Sequence, residues 1–158
     1  MIPDIWTIIP MRGIESGKSR LAGVLTAGAR SRLNRWLLLH TLSVVERWAG
    51  GLGRCIVVTP CRKTRELAVR AGASVVSEEA GIRDLNRALM MGASRAKAQG
   101  AEAIMVVACD LPHLNPAALT ALARQGRRVP SLVLAPDAAG IGTNALLLRG
   151  HADFEFRF

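Results

Sequence analysis

Two residues in this chain have the setting that phosphate chemistry needs: a lysine in a glycine-bearing basic turn, and an aspartate leaving a wholly apolar run. The lysine lies in Pro10-Met11-Arg12-Gly13-Ile14-Glu15-Ser16-Gly17-Lys18-Ser19-Arg20-Leu21, directly after the apolar run Ile5-Trp6-Thr7-Ile8-Ile9. A strand, a basic turn and a following helix form a seat for phosphate. Loop N–H groups and the helix N-terminus point at the anion, and a lysine adds a mobile positive charge. The alternative is a solvated basic turn with no ligand. Ser16-Gly17-Lys18-Ser19 resembles the tail of a Walker A loop, but the position that needs the first glycine is Arg12, and Gly13 stands one residue too close. Because that loop wraps its phosphate with a fixed number of N–H groups, the spacing counts against a P-loop.

The aspartate ends Ile104-Met105-Val106-Val107-Ala108-Cys109-Asp110. A hard oxygen ligand at the exit of a buried strand suits Mg²⁺ held against nucleotide phosphates. The competing reading has Asp110 capping the turn at Leu111-Pro112. His113 reads as a turn residue, and His40 as a satisfied core or boundary residue of a helix. Asn86, in Gly81-Ile82-Arg83-Asp84-Leu85-Asn86-Arg87, either offers its amide to a base edge or is an ordinary first-turn residue, and Arg83 is a possible phosphate contact. The glycine-punctuated stretch from Ala135 to Asn144 either presents N–H groups to a carboxylate or is a hairpin connection.

The elements that must position these groups alternate. Strands are expected over 5–9, 55–59, 74–76, 103–108, 131–135 and 144–148. Helices are expected over 29–48, 62–71 and 84–99 and from Pro116, with Asp84 and Asn115 as N-caps and Gly50, Gly72 and Gly100 as stops. In the long helix Leu33, Trp36, Leu37, Thr41, Val44, Val45 and Trp48 mark the apolar face, and Arg30, Arg32 and Arg35 the solvated one. Alternating strands and helices with short connections give an α/β fold, a mostly parallel sheet covered on both faces. Ligands of such sheets bind beyond the carboxyl ends of the strands.

Composition narrows the partners. The chain has 158 residues and a formal charge of +9, and 18 of its 21 basic residues are arginine. Residues 1–70 carry twelve Lys/Arg against four Asp/Glu, while 71–158 carry nine against eight, so the excess surrounds the basic turn. Such a field concentrates small polyanions. With no tyrosine and three phenylalanines, all near the carboxyl end, base-stacking platforms are few, and nucleic acid is not the expected partner. No apolar run approaches the ~20 residues that cross a bilayer. Cys55, Cys61 and Cys109 lack Cys-x-x-Cys spacing and read as buried reduced thiols of a cytoplasmic protein.

In order and spacing, Pro10, Lys18-Ser19-Arg20-Leu21, Leu85-Asn86 with Ala88-Leu89, Asp110-Leu111-Pro112 and Gly142-Thr143-Asn144-Ala145-Leu146 resemble the guanylyltransferases of deazaflavin coenzyme F-420 biosynthesis. These are relatives of the molybdenum-cofactor guanylyltransferases. The resemblance runs from about Ile5 to Phe158 and implies a Rossmann-like three-layer, glycosyltransferase-A-like nucleotidyltransferase fold. It implies transfer of GMP from GTP to a three-carbon phospho-acid (2-phospho-L-lactate, phosphoenolpyruvate or 3-phospho-D-glycerate) with release of pyrophosphate. By that likeness Asp110 holds Mg²⁺, while Lys18, Arg12 and Arg20 stabilise the triphosphate. Pro10, Met11, Gly13 and Asn86 border the nucleotide, and Thr143 and Asn144 the acceptor. In the family the chain continues past Phe154–Phe158 with further elements and a second metal-binding aspartate, for which Asp137 and Asp153 are differently placed. An apolar edge left exposed there favours self-association into a homodimer.

Overall fold

The computed structural model describes residues 5–78, 84–150 and 154–157. The expected segment Gly81-Ile82-Arg83, with Asp153 and Phe158, lies outside the described residues. Strands β1 (Ile5–Pro10), β2 (Cys55–Thr59), β3 (Ser74–Ser77), β4 (Ala103–Val107), β5 (Ser131–Pro136) and β6 (Thr143–Arg149) form one sheet in the order β3-β2-β1-β4-β6-β5. Helices α1 (Ala27–Ala49), α2 (Arg62–Ala71), α3 (Leu85–Ala98) and α4 (Pro116–Gln125) connect the strands, with a short 3₁₀ turn at Ser19–Leu21.

The first four strands are mutually parallel, each joined to the next through a helical crossover. β6 instead runs antiparallel to both β4 and β5. This departs from an all-parallel winding, and the reason is length. Only residues 137–142 separate β5 from β6, whereas a parallel return needs a crossover of a dozen or more residues. The stretch from Ala135 to Asn144 is therefore a hairpin connection.

Caps set the helix ends. Thr26 accepts from the Ala29 N–H and starts α1 two residues before the expected Ala29, and Gly50 ends it in a left-handed conformation. The Asp84 carboxylate accepts from the Asn86 and Arg87 N–H groups at 2.9 and 3.3 Å, and Asn115 caps α4 with Pro116 in the first turn.

Two cores sandwich the sheet. One packs α1, α2 and α4 on Ile9, Val57, Met105 and Leu147; the other packs α3 and Phe156 on Ile8, Val58, Val106 and Leu146. Trp36 does not belong to either: it is 50% exposed, its ring stacked on His40 with centroids 5.1 Å apart. The buried stripe of α1 runs through Asn34, Leu37, Leu38, Thr41, Leu42, Val44, Val45 and Trp48; it keeps Leu37, Thr41, Val44, Val45 and Trp48 of the expected face and takes Asn34, Leu38 and Leu42 in place of Leu33 and Trp36. Of the cysteines only Cys55 is buried; Cys61 and Cys109 are half-buried, and all are free thiols. On the far edge of the sheet β5 leaves Leu132 and Leu134 about half exposed.

α3 crosses β1 and β2 at a glycine. A Cβ at Gly92 would lie 2.8 Å from Ile8 Cγ2 and 2.9 Å from Val58 Cγ2, both branched side chains held in the sheet. Gly92→Ala gains about 1 kcal/mol of helix propensity yet overpacks this crossing, at a cost of about 1–3 kcal/mol. We expect a lower midpoint in urea unfolding. An equal or higher midpoint would mean that the helix rides further from the sheet.

Candidate active site

β1 and β4 lie side by side, with Thr7 opposite Met105 and Ile8 opposite Val106. Whatever follows their carboxyl ends is thereby brought to one place. After β1 the chain turns through Gly13, whose missing Cβ would meet Cys61 Cβ at 2.9 Å and Ser16 Oγ at 3.0 Å, so only glycine fits. Gly17 and Lys18 then adopt left-handed conformations at φ 95° and 54°. A lysine in that region is uncommon and mildly strained. Its effect is to send the side chain across the crevice, where Lys18 Nζ lies 3.0 Å from Asp110 Oδ2. Asp110 thus meets a cation instead of capping the Leu111-Pro112 turn. The side chains are 25% and 57% exposed, and exposed pairs contribute only about 0–1 kcal/mol to stability. The pair marks a place where charges are held, not one that holds the fold.

Unlike a Walker loop, this one does not run directly into a helix. The 3₁₀ turn at Ser19–Leu21 intervenes and α1 starts only at Ala27, so the N-terminus of α1 does not immediately follow the lysine. The loop is braced instead by side chains. Ile14 N–H donates to Thr64 Oγ1 at 3.1 Å, and Asn34 Nδ2 donates to the Ile14 and Ser16 carbonyls at 3.2 and 3.0 Å. On the outside Lys63 Nζ pairs with Glu15 at 2.6 Å. Beneath the crevice Cys109 Sγ lies 3.9 Å from Met11 Sδ.

The other expected residues divide. Pro10 ends β1 and Met11 N–H donates to Val58 O. Arg12 is exposed and stands on the β3 side, an electrostatic neighbour of Glu78, on which Arg87 and Asp84 also act. Arg20 is exposed in the 3₁₀ turn, and Asn86 is half-buried in the first turn of α3. Because β6 is antiparallel, its start lies at the carboxyl edge of β4: Ala108 N–H donates to Asn144 O at 2.9 Å. Thr143 and Asn144 therefore stand beside the Asp110 loop, although the Asn144 amide itself donates to Pro136 O. His40 donates from Nε2 to Leu114 O at 3.1 Å and braces the same loop; His113 is an exposed turn residue. Asp137 accepts from Ile141 N–H in the hairpin, and backbone N–H groups hold its carboxyl below the ordinary range.

Glu78, just past β3, is the group that pattern reading passed over. Among the described residues its half-buried carboxylate makes no hydrogen bond or ion pair. Burial raises it above its ordinary 4.5, and Arg12 and Arg87 pull against that rise. No motif surrounds it; only its place at a strand end could have drawn attention.

For a metal, the donor set is sparse. Among the described residues no three His, Cys, Asp or Glu side chains gather as ligands. Asp110 alone suits Mg²⁺ that arrives with a polyphosphate, since that ion is commonly held by one or two carboxylates plus substrate oxygens. Lys18 occupies the cation position against the same carboxylate.

A crevice at strand carboxyl ends, with a basic loop facing a carboxylate across this sheet order, has the architecture of nucleotidyltransferases. Solved structures agree on the fold. One described as a nucleotide-diphospho-sugar transferase from Desulfovibrio desulfuricans superposes with TM-score 0.73 at 14% identity, over 93% of this chain and 64% of that one. A Leptospira borgpetersenii cytidylyltransferase does so with TM-score 0.60 at 14% identity, over 92% and 60%. The sequence goes further: the family described as guanylyl transferase CofC like matches residues 5–158, and the chain belongs to that family. It is 34% identical to a phosphoenolpyruvate guanylyltransferase of Rubrobacter xylanophilus, over 98% of this chain and 74% of the relative. With the phosphoenolpyruvate guanylyltransferase of Conexibacter woesei it shares 35% identity, over 90% of this chain and 64% of that protein. A 3-phospho-D-glycerate guanylyltransferase of Phenylobacterium zucineum is 35% identical over 96% of this chain and 69% of its own length. The chain thus spans about two thirds to three quarters of these relatives.

The thiols around the loop differ in reactivity. Burial pushes the Cys55 and Cys109 thiols to about 12. Burial also works to raise Cys61, but the Thr64 hydroxyl and the N–H groups of Thr64, Lys63 and Ile14 outweigh it and bring the thiol below 9.0. Near pH 8 Cys61 carries far more thiolate, the reactive form. We expect iodoacetamide to label Cys61 at least about tenfold faster than Cys109, as read by peptide mass spectrometry. Equal rates would contradict the assigned environments.

Proposed function

We propose that this protein transfers GMP from GTP to a three-carbon phospho-acid, releasing pyrophosphate, as a step of coenzyme F-420 biosynthesis. The observation that carries the reading is the meeting of Lys18 and Asp110 at 3.0 Å across the crevice. A phosphate oxygen of the acceptor attacks the α-phosphorus in line, and the bond to the bridging oxygen of pyrophosphate breaks. That oxygen is already anionic near neutral pH, so no strong general base is required. The work of the site is orientation and neutralisation of charge. Lys18 leaves Asp110 for the triphosphate and follows the charge onto the departing pyrophosphate. Asp110, freed, would hold Mg²⁺ brought by the nucleotide; when bound, that ion neutralises phosphate charge. Thr143, at the start of β6, borders the acceptor. The relatives' names favour phosphoenolpyruvate or 3-phospho-D-glycerate as acceptor.

Glu78 supports guanine as the base. A carboxylate accepts side-by-side N–H donors, which guanine presents at N1 and its exocyclic amine and adenine does not. β3 and β4 are three strand spacings apart, roughly 14 Å, which lets a nucleoside reach from Glu78 toward Lys18.

Pyrophosphate release, measured with Mg²⁺, GTP and each acid in turn, is expected with at least one acid and to be absent with ATP. No release from GTP with all three acids would contradict the reading. In Glu78→Gln the use of GTP falls by about tenfold or more, while xanthosine triphosphate, whose base offers an oxygen in place of the amine, becomes a substrate. The proton competes with guanine for Glu78, so GTP affinity weakens on acidification through a carboxyl raised above 4.5. In Glu78→Gln that limb of the pH profile disappears.

A further inference from the structure

The loop that carries Lys18 does not run directly into a helix, and its shape must come from elsewhere. Asn34 is a polar residue on the buried stripe of α1, 5% exposed, and Thr64 on α2 is fully buried. Both amide hydrogens of Asn34 are engaged, one on the Ile14 carbonyl and one on the Ser16 carbonyl, at 3.2 and 3.0 Å. The Thr64 hydroxyl accepts from the Ile14 N–H at 3.1 Å. Ile14 itself is buried, 8% exposed, so the loop is nailed to the core at its centre.

This brace has a stereochemical consequence. In a planar trans peptide the C=O of one residue and the N–H of the next point in opposite directions. With the Ile14 and Ser16 carbonyls drawn inward to Asn34, the Glu15 and Gly17 N–H groups face away from the core. Among the described residues neither of those N–H groups donates a hydrogen bond, whereas the Ser16 N–H between them closes the turn onto Gly13 O. Two outward amides flanking a turn, followed by Lys18 in a left-handed conformation, are the donors that such a loop can offer to anionic oxygens.

We propose that Asn34, seconded by Thr64, is the positioning residue of the nucleotide loop: it turns the Glu15 and Gly17 amides, and with them Lys18, toward the polyphosphate. Neither side chain reaches the ligand. The inference rests on the reading of the loop as a nucleotide seat, and its mark is selectivity: losing the brace weakens binding of the phosphates and spares the nucleoside.

The test compares GTP with guanosine by calorimetry on the whole chain, alongside circular dichroism. Asn34→Asp keeps the side chain's size but removes both donors and sets a carboxylate against two carbonyls. Thr64→Val removes the acceptor within the same volume, and Thr64→Ser restores it. Asn34→Asp is expected to weaken GTP at least tenfold with guanosine changed less than twofold. Thr64→Val should follow in the same sense and Thr64→Ser stay near wild type. If Asn34→Asp does not fold, the Thr64 pair decides alone. Parallel loss of GTP and guanosine, or unchanged GTP, overturns the inference while leaving the nucleotide reading intact. Wild-type protein that binds neither GTP nor guanosine overturns that reading itself, and this one with it.

Discussion

The pairing of β1 with β4 as parallel neighbours governs everything at the carboxyl edge. Ninety-two residues separate Lys18 from Asp110 in the chain, yet the register of Thr7 on Met105 and Ile8 on Val106 leaves their parent segments no alternative but to emerge together. Attraction between the charges does not create this proximity. Two exposed unit charges at 4 Å gain only about 1 kcal/mol in water, whereas the two strands are held by buried Ile8, Ile9, Met105 and Val107. The sheet fixes the place, and the ion pair exploits it. An arrangement maintained by the core lets the charges separate without loosening the fold.

The hairpin adds a third wall. Since residues 137–142 are too few for a crossover, β6 must return antiparallel, and its first residues arrive where β4 ends. The Ala108–Asn144 hydrogen bond fastens that return to the segment leading to Asp110. On the opposite side Arg12 lies within electrostatic reach of Glu78, just past β3. The site is therefore assembled from four separate stretches, none of which carries a complete motif alone.

Most of the scaffold could be read from residues. Asp84, Asn115-Pro116, Gly50 and Gly72 were visible as caps and stops because capping is local chemistry, whereas Thr26, Cys61 and Gly126 were not read. The fully buried run Ala103–Val107 declared a central strand. Strand direction was another matter: the sequences of β5 and β6 alternate or run apolar whichever way they point, and only the connection length betrays the hairpin. Trp36 misled because hydrophobicity does not say which side of a helix meets the sheet, and a ring stacked on His40 tolerates water. Asn34 and Glu78 were missed for a common reason. Each is a polar residue whose meaning depends on what stands opposite, and that is set by tertiary packing. The crevice residues Lys18 and Asp110 were legible because strand ends announce themselves in α/β chains.

The central claim is that Lys18 and Asp110 serve one ligand together. It is tested most directly by a double-mutant cycle on kcat/KM for pyrophosphate release, with Lys18→Ala, Asp110→Asn and the pair combined. Groups that act as a unit give strongly non-additive losses, so each single change is expected to cost nearly as much as both, about two orders of magnitude or more. Losses that simply multiply, or near-normal turnover in either single variant, would contradict the account.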